Sequence, residues 1–496
     1  MNVNPITRLD YPDPDVIRVE DTYYMVSTTM HFMPGCEILQ SFDLVHWEHV
    51  TYVYETLDHT DAQQLKSGQN IYGQGMWAAS LRYHEGRFYI CFVANDTRKT
   101  YLYTSEKIDG PWKKQLIEGF YHDGSLLFDE DGRNYIVYGN DEIWITELNE
   151  DLTAPKKDGL HRLLVSDHKN PELGYEGSHI QKINGYYYIF LIHSLRDRWM
   201  RTEACFYSDS LEGEFTGGDV LCDDRGYCGQ GVAQGGIVDT PDGKWYAMLF
   251  QDSGAVGRLP ILLPVTWKDH FPVFGQNGHV PEEIEVHSTR PGYIYQPLVG
   301  SDDFCNGLLP RWQFNHDPDP RYYHLDALQG TYTITTREVC TELTQAVNTL
   351  TQRMSYPSCA AEVTVDASAL KEGDVAGLCA FQGCYAAVGI TKHHGKYEVL
   401  MLDKKEDGIL DMTEGTVVES HQMDFRLEAD FCNMKDEARC YYRVNKGDWL
   451  PIGTVHKLYF KLDHFTGCRF GLFCYAAEET GGSACFRDFK YYDVDE

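Results

Sequence analysis

No Cys-x-x-Cys pair occurs in this chain, and its 15 cysteines are scattered and odd in number. That leaves no zinc ribbon and argues against a disulfide framework, so reduced thiols are expected. Cations are scarce as well: 43 Lys and Arg stand against 75 Asp and Glu, for a formal net charge of -32. Nucleic acid and anionic membrane surfaces, which need clustered Lys and Arg, are therefore poor partners, and a neutral or cationic substrate is expected. No apolar run approaches membrane-spanning length, and the opening residues MNVNPITRLDYPDP lack the basic start and apolar stretch of a signal peptide. A cytoplasmic protein is the expectation, with an oligomeric state left open.

What the chain does have is length and aromatic content. At 496 residues it exceeds one ordinary core, and aromatics reach 13%, so two folded domains are expected. Five stretches share a small turn followed by aromatic and apolar residues: VEDTYYMVST, YHEGRFYICF, DEDGRNYIVY, KINGYYYIFL and TPDGKWYAML. Each reads as a β-hairpin, and their shared tyrosines are Tyr24, Tyr89, Tyr135, Tyr188 and Tyr246. A unit of about four strands recurring every 50 residues or so is what a propeller blade requires. The reading is all-β: a five-bladed β-propeller over residues 1–295, then a β-sandwich, a concanavalin-like jelly roll, over 296–496. QNGHVPEEIEVHSTRPGYIYQP is the linker between them, and a single sandwich with coincidental hairpins is the alternative.

A propeller places ligand sites where inner strands converge, so functional residues should appear ahead of those strands. Asp13 in YPDPDVIRV, Asp123 in GFYHDGSLLFD and Glu176 in GYEGSHIQKI meet that expectation from three blades, in register with the repeat. Pro12 and Pro14 should hold Asp13 on stiff, extended backbone. Asp15 reads as a strand-entry residue bonded to nearby backbone. Tyr175 would exclude water from the Glu176 carboxyl, and Gly177 would let a substrate approach.

The stretch NPITRLDYPDPDVIRVEDTYYMVSTTMHFMPGCEILQSFDLVHW resembles the opening of glycoside hydrolase family 43. The likeness continues through GMWAASLRYHEGRFYI, YHDGSLLFDEDG, GYEGSHI, GGIVDTPDGKWY and GRLPILLPVTWKDHFPVFG. The carboxy-terminal sandwich is similar to the accessory domain of the family's β-xylosidase-like members. The resemblance implies an inverting hydrolase of arabinose- and xylose-containing glycans, with Asp13 as general base, Glu176 as general acid and Asp123 orienting the acid. It also implies that Arg258, Trp77 and Phe32 line the sugar pocket. This chain has Ser80 where many relatives carry Asp, and Gln234 where they carry a His that often helps hold an axial calcium. No cofactor is implied for the chemistry. A structural calcium at Gln234 stays open, because its carbonyl oxygen suits that ion.

The expected activity is exo-release of arabinofuranose or xylose from short, imported oligosaccharides, with the sandwich supporting the propeller and closing one edge of the pocket. A carbohydrate-binding propeller without catalysis is the alternative from another class. Sialidase and fructosidase propellers are disfavoured, since SFDLVHW lacks the Asp-box glycine and no W-M-N-D-P-N occurs.

Overall fold

A computed structural model describes residues 3–413 and 415–493 and is all-β. Five four-stranded antiparallel sheets follow one another along the first part of the chain. Their innermost strands are Asp15–Val19, Ser80–His84, Ser125–Phe128, Glu176–Ile183 and Val232–Asp239, and the last strand of the fifth blade ends at Phe274. The repeated tyrosines all lie on second strands, paired with Ile17, Arg82, Leu127, Gln181 and Val238. The hairpin turns explain the recurrence. Glu85–Gly86 and Asn184–Gly185 are two-residue turns with positive φ at both positions, a backbone whose twist matches the flanking strands.

The ring is closed by the first residues. Ile6 and Tyr11 donate backbone N–H groups to the carbonyls of Pro260 and Arg258, and the Asn4 amide bridges the backbone of Leu262. Residues 276–297 are strapped across blade 1 rather than forming a free linker. Thr289 N donates to Phe42 O, Tyr295 Oη accepts from Phe42 N, and Arg290 pairs with Asp21.

The sandwich is two antiparallel sheets around one apolar core. One sheet runs in the order Gln313–Asn315, Leu350–Arg353, Arg469–Ala476, Asp374–Phe381, Ala386–His393, Lys396–Lys404. It recruits a propeller strand: Phe32–Met33 pairs with Phe314 and Asn315 at its edge. The propeller and the sandwich thus share one sheet.

A buried ion pair reinforces the junction. Arg353 of the sandwich donates to Glu37 Oε2 at 2.8 Å and to the Asp10 carbonyl at 2.9 Å, and its guanidinium lies 4.1 Å from the Tyr11 ring centroid. Burial alone would raise the Glu37 carboxyl, but Arg353 and His49 outweigh it and hold it at about 2. Glu37→Gln would leave Arg353 without its counter-charge and should cost about 3–5 kcal/mol in chemical denaturation at neutral pH. A depressed carboxyl stabilises the fold above its ordinary value and loses that contribution as pH falls through its folded value. The difference between the two proteins should therefore narrow from 4.5 down to about 2; a gap that stays constant with pH would contradict the assignment.

Candidate active site

The start of each inner strand sets where the functional side chains stand. Cross-strand pairing makes Asp15, Ser80, Ser125, His179 and Gly236 equivalent, facing Val26, Cys91, Val137, Phe190 and Met248. Two residues earlier stand Asp13, Ala78, Asp123, Gly177 and Gln234, and one further back Pro12, Trp77, His122, Glu176 and Ala233. Asp13 and Asp123 therefore share a position, while Glu176 is offset by one and matches Trp77 and His122. The repeat predicted one register for all three carboxylates; counted back from the equivalent residues, Asp13 and Asp123 stand two places before Asp15 and Ser125, and Glu176 three places before His179.

Asp13 is buried with φ of 52°, left-handed rather than the extended backbone expected ahead of Pro14. Its surroundings compel this geometry. The Pro12 carbonyl accepts from Ser27 Oγ at 2.6 Å and from Thr28 N at 3.2 Å, and the Asp13 carboxylate accepts from Thr28 Oγ1 at 2.5 Å and from Arg258 Nη1 at 3.0 Å. Strain of this kind costs about 1–3 kcal/mol and persists where the surroundings over-determine it.

Asp123 repeats the left-handed backbone, with φ of 47°. Its Oδ2 accepts the Gly177 N–H at 3.0 Å, so it holds the backbone beside Glu176. Gly177 cannot be exchanged: its φ is +66°, and a Cβ there would meet Gln234 Cγ at 2.7 Å. Glu176 Oε2 accepts from Asn140 Nδ2 at 2.6 Å. His122 Nε2 sits 3.6 Å from both Asp123 Oδ2 and Glu176 Oε2. Asp123 and then Glu176 raise His122 to about 9 despite its burial. Burial pushes Asp123 up to about 6, with the His122 cation opposing. At neutral pH the pair is imidazolium and carboxylate.

These groups adjoin a cavity of about 1040 Å³. Trp77, His122, Asn140 and Glu176 line it, and the buried Asp13, Asp123 and Arg258 are not among its lining residues. Phe465 of the sandwich forms part of the wall, 5.6 Å from Trp77 between ring centroids. The Arg258 guanidinium stacks 4.2 Å from the Phe465 ring centroid. Trp77 thus faces the cavity, and Arg258, 1% exposed, bonds the Asp13 carboxylate.

Phe32 does not reach the cavity. Its strand pairs with the sandwich, which carries the ring into the domain junction, 3.5 Å beneath the Arg469 guanidinium. Tyr175 also turns away from Glu176 and packs against His193 and Phe206, so it does not screen the carboxyl. Ser80 Oγ accepts from Leu126 N at 3.1 Å, a bond between blades. Asp15 likewise accepts from Leu81 N at 2.7 Å.

Gln234 occupies the Asp13 position of blade 5. Its N–H donates to Glu203 Oε2 at 2.7 Å and its side chain covers Gly177. Two carboxylate oxygens here lack a hydrogen-bond partner, Asp15 Oδ1, 3.8 Å from His179 Nε2, and Glu203 Oε1 on the carboxylate that takes the Gln234 N–H, whereas calcium takes six to eight oxygens. Among the described residues, the trio of His, Asp and Glu ligand atoms close together is His122, Asp123 and Glu176; the carboxylates beside Gln234 form no such group, so they do not supply the oxygens a calcium site needs.

His122, Asn140 and Phe465 were not singled out from sequence. His122 carried a signal, adjacent to Asp123 and equivalent to Glu176; Asn140 and Phe465 carried none in the repeat.

Residues 3–272 match the model of glycosyl hydrolases family 43, and residues 301–492 match that of the beta xylosidase C-terminal concanavalin A-like domain. A solved structure from Bacteroides eggerthii, described as a bifunctional GH43-CE, is similar with a TM-score of 0.92 and 42% identity over 99% of this chain, which spans 64% of that one. A Formosa agariphila beta-xylosidase is 27% identical over 99% of this chain and 89% of its own. A Bacteroides ovatus non-reducing end alpha-L-arabinofuranosidase is 24% identical over 83% and 79%. With its propeller matched from residue 3 to 272 and its sandwich from 301 to 492, the chain belongs to glycosyl hydrolases family 43 and is a glycoside hydrolase.

Proposed function

We propose that this hydrolase works by inversion from the ends of xylo- or arabinoxylo-oligosaccharides, releasing xylose or arabinofuranose, with Asp13 as base and Glu176 as acid. The observation that carries this reading is the asymmetry of the two carboxyls. Asp13 sits deep between the Arg258 guanidinium and the Thr28 hydroxyl, both donors that suit an ionised group activating water. Glu176 stands on the cavity wall with one amide donor, where it can protonate a departing oxygen. Inversion needs such a pair on opposite faces of the sugar, roughly 6.5–9.5 Å apart. The names of the two curated relatives divide between xylosidase and arabinofuranosidase, and a pentose-sized end site suits both sugars.

Asp123 acts through position and charge. It fixes the Gly177 N–H beside the acid and keeps His122 cationic. No metal or organic cofactor is needed for these steps.

Aryl β-xyloside and aryl α-arabinofuranoside should both be turned over; lack of turnover on either would overturn the dual specificity. Asp13→Asn should lose about 10²–10⁴-fold in kcat with every leaving group, because no other group activates the water. Glu176→Gln should be partly rescued by leaving groups that need little protonation, and rescue in Asp13→Asn instead would reverse the roles. In the native enzyme the His122 proton should be held through neutral pH and lost as pH rises through about 9. Asp123→Asn removes the largest cause of that elevation, so the His122 titration, followed by NMR of its ring proton, should move to lower pH together with the alkaline limb of kcat. A His122 midpoint unmoved by the substitution would show that Asp123 does not hold its proton.

A further inference from the structure

The residue that opens an inner strand has a recurring task. In the first three blades the side chains of Asp15, Ser80 and Ser125 accept backbone N–H groups of the next blade, from Leu81, Leu126 and Ile180. The equivalent residue of the fourth blade is His179, and it departs from the pattern. Its Nδ1 lies 3.1 Å from the carbonyl oxygen of Gly177, the residue after Glu176. A carbonyl only accepts, so Nδ1 carries the proton and donates it.

Gly177 has need of that donor. Glu176 faces Ile192 and His179 faces Phe190, so three steps on the inner strand oppose two on its neighbour. An extra residue of this kind leaves backbone groups outside the ladder, and buried backbone groups must find partners elsewhere. The Gly177 N–H goes to Asp123 Oδ2 at 3.0 Å and its carbonyl to His179, while Gln234 fills the side where a Cβ would project. The backbone beside the acid is thus held at its donor, at its acceptor and on one face.

The imidazole is itself fixed. It is buried, and a Cβ on Gly236, the equivalent residue of the fifth blade, would meet its Cδ2 at 3.4 Å. Nε2 stands 3.8 Å from Asp15 Oδ1, beyond hydrogen-bond distance. Burial pushes His179 below its ordinary value, with Asp15 opposing, so the ring is neutral at neutral pH.

An acid is effective only where its proton meets the departing oxygen, and a misplacement of about 1 Å can cost about 10²-fold. We propose that His179 is a positioning residue for Glu176: its Nδ1–H fixes the Gly177 carbonyl and so sets where the acid stands in the cavity. This role rests on the proposed acid function of Glu176 and deepens it.

Asn and Gln separate the role from packing. The Asn amide nitrogen can take the place of Nδ1 and keep the bond to Gly177, whereas the Gln amide nitrogen takes the place of Nε2. The measurement is kcat for a phenyl pentoside, whose leaving group needs a proton, divided by kcat for the dinitrophenyl pentoside, whose leaving group needs little. In His179→Gln this ratio should fall about tenfold or more with KM little changed, and in His179→Asn it should stay within about threefold of the native value. A ratio unmoved in His179→Gln, or lost equally in both variants, would overturn the proposal whatever either substitution does to stability. Glu176→Gln distinguishes the two readings: an unmoved ratio there removes the acid role and this proposal with it, whereas a fall in Glu176→Gln alone overturns only the part assigned to His179. The native protein gives a reading that needs no variant. Nitrogen NMR of histidine-labelled enzyme should show His179 protonated on Nδ1 at neutral pH, and a bare Nδ1 with the proton on Nε2 would overturn the hydrogen bond and the proposal.

Discussion

One partly buried cation, Arg82, ties the propeller together, and the active site takes its geometry from the bonds around it. Arg82 donates to Asp15 Oδ2 at 2.8 Å, to Ser125 Oγ at 2.7 Å and to the Leu126 carbonyl at 2.8 Å, reaching blades 1 and 3 from blade 2. Around it the first inner-strand side chains accept backbone N–H groups from the next blade. Asp15 takes Leu81 N, Ser80 takes Leu126 N and Ser125 takes Ile180 N. Each bond fixes one inner strand against its neighbour at a chosen residue. Asp13 and Asp123 stand two residues before two of those anchors, so an angular error in blade packing would move both carboxylates. A partly buried charge is tolerable here because it is fully engaged: the guanidinium's hydrogen bonds meet a carboxylate, a hydroxyl and carbonyls.

The same anchors explain why strain gathers at the site. Asp13, Asp123, Gly177 and Gln234 hold equivalent positions and all take positive φ. A chain entering an inner strand through a left-handed residue turns its side chain toward the axis instead of along the sheet. Only one of the four is glycine, at the place where Gln234 leaves no room for a Cβ. At the other three, hydrogen bonds from Thr28, Gly177 and Gln234 to carboxylates offset the conformational cost. Glu203 belongs to this set: it is wholly buried, burial raises it far above the usual carboxylate range, and it accepts the Gln234 N–H. It supports blade 5 where blades 1 and 3 present Asp13 and Asp123.

The five blades were legible because each hairpin turn has a local chemistry that repeats, Gly or Asp followed by aromatic strand residues. Asp13 and Asp123 were legible for the same reason, and Glu176 nearly so, since it stands one residue earlier than the repeat places it. What could not be read were contacts between segments far apart in sequence. Phe32 looked like a pocket residue because it sits near the first motif. Its two-residue strand pairs with Asn315 and Phe314, and nothing near residue 32 announces that partner. Tyr175 adjoins Glu176 in sequence, yet successive strand residues face opposite sides, so its ring left the site. Asn140 and Phe465 lie 36 residues before Glu176 and 207 after Arg258, at distances where local patterns carry no information.

The sandwich belongs to the site as much as to the scaffold. Asp10 accepts Arg258 N at 2.8 Å and Gly467 N at 2.7 Å with its two carboxylate oxygens, so one side chain binds the arginine that pairs with Asp13 and the sandwich together. Gly467 lies two residues beyond Phe465, whose ring covers the same arginine and whose carbonyl lies 3.4 Å from Arg258 Nη2. Asp13, Arg258, Asp10 and residues 465–467 are therefore one connected group of charges and backbone dipoles spanning both domains. A displacement of the sandwich would uncover Arg258, loosen the donor on Asp13 and remove Phe465 from the cavity at once. Asp13 keeps its geometry only while the second domain is docked, so the shared sheet at Phe32–Met33 and the buried Arg353–Glu37 pair hold the Asp13 neighbourhood in place from a distance.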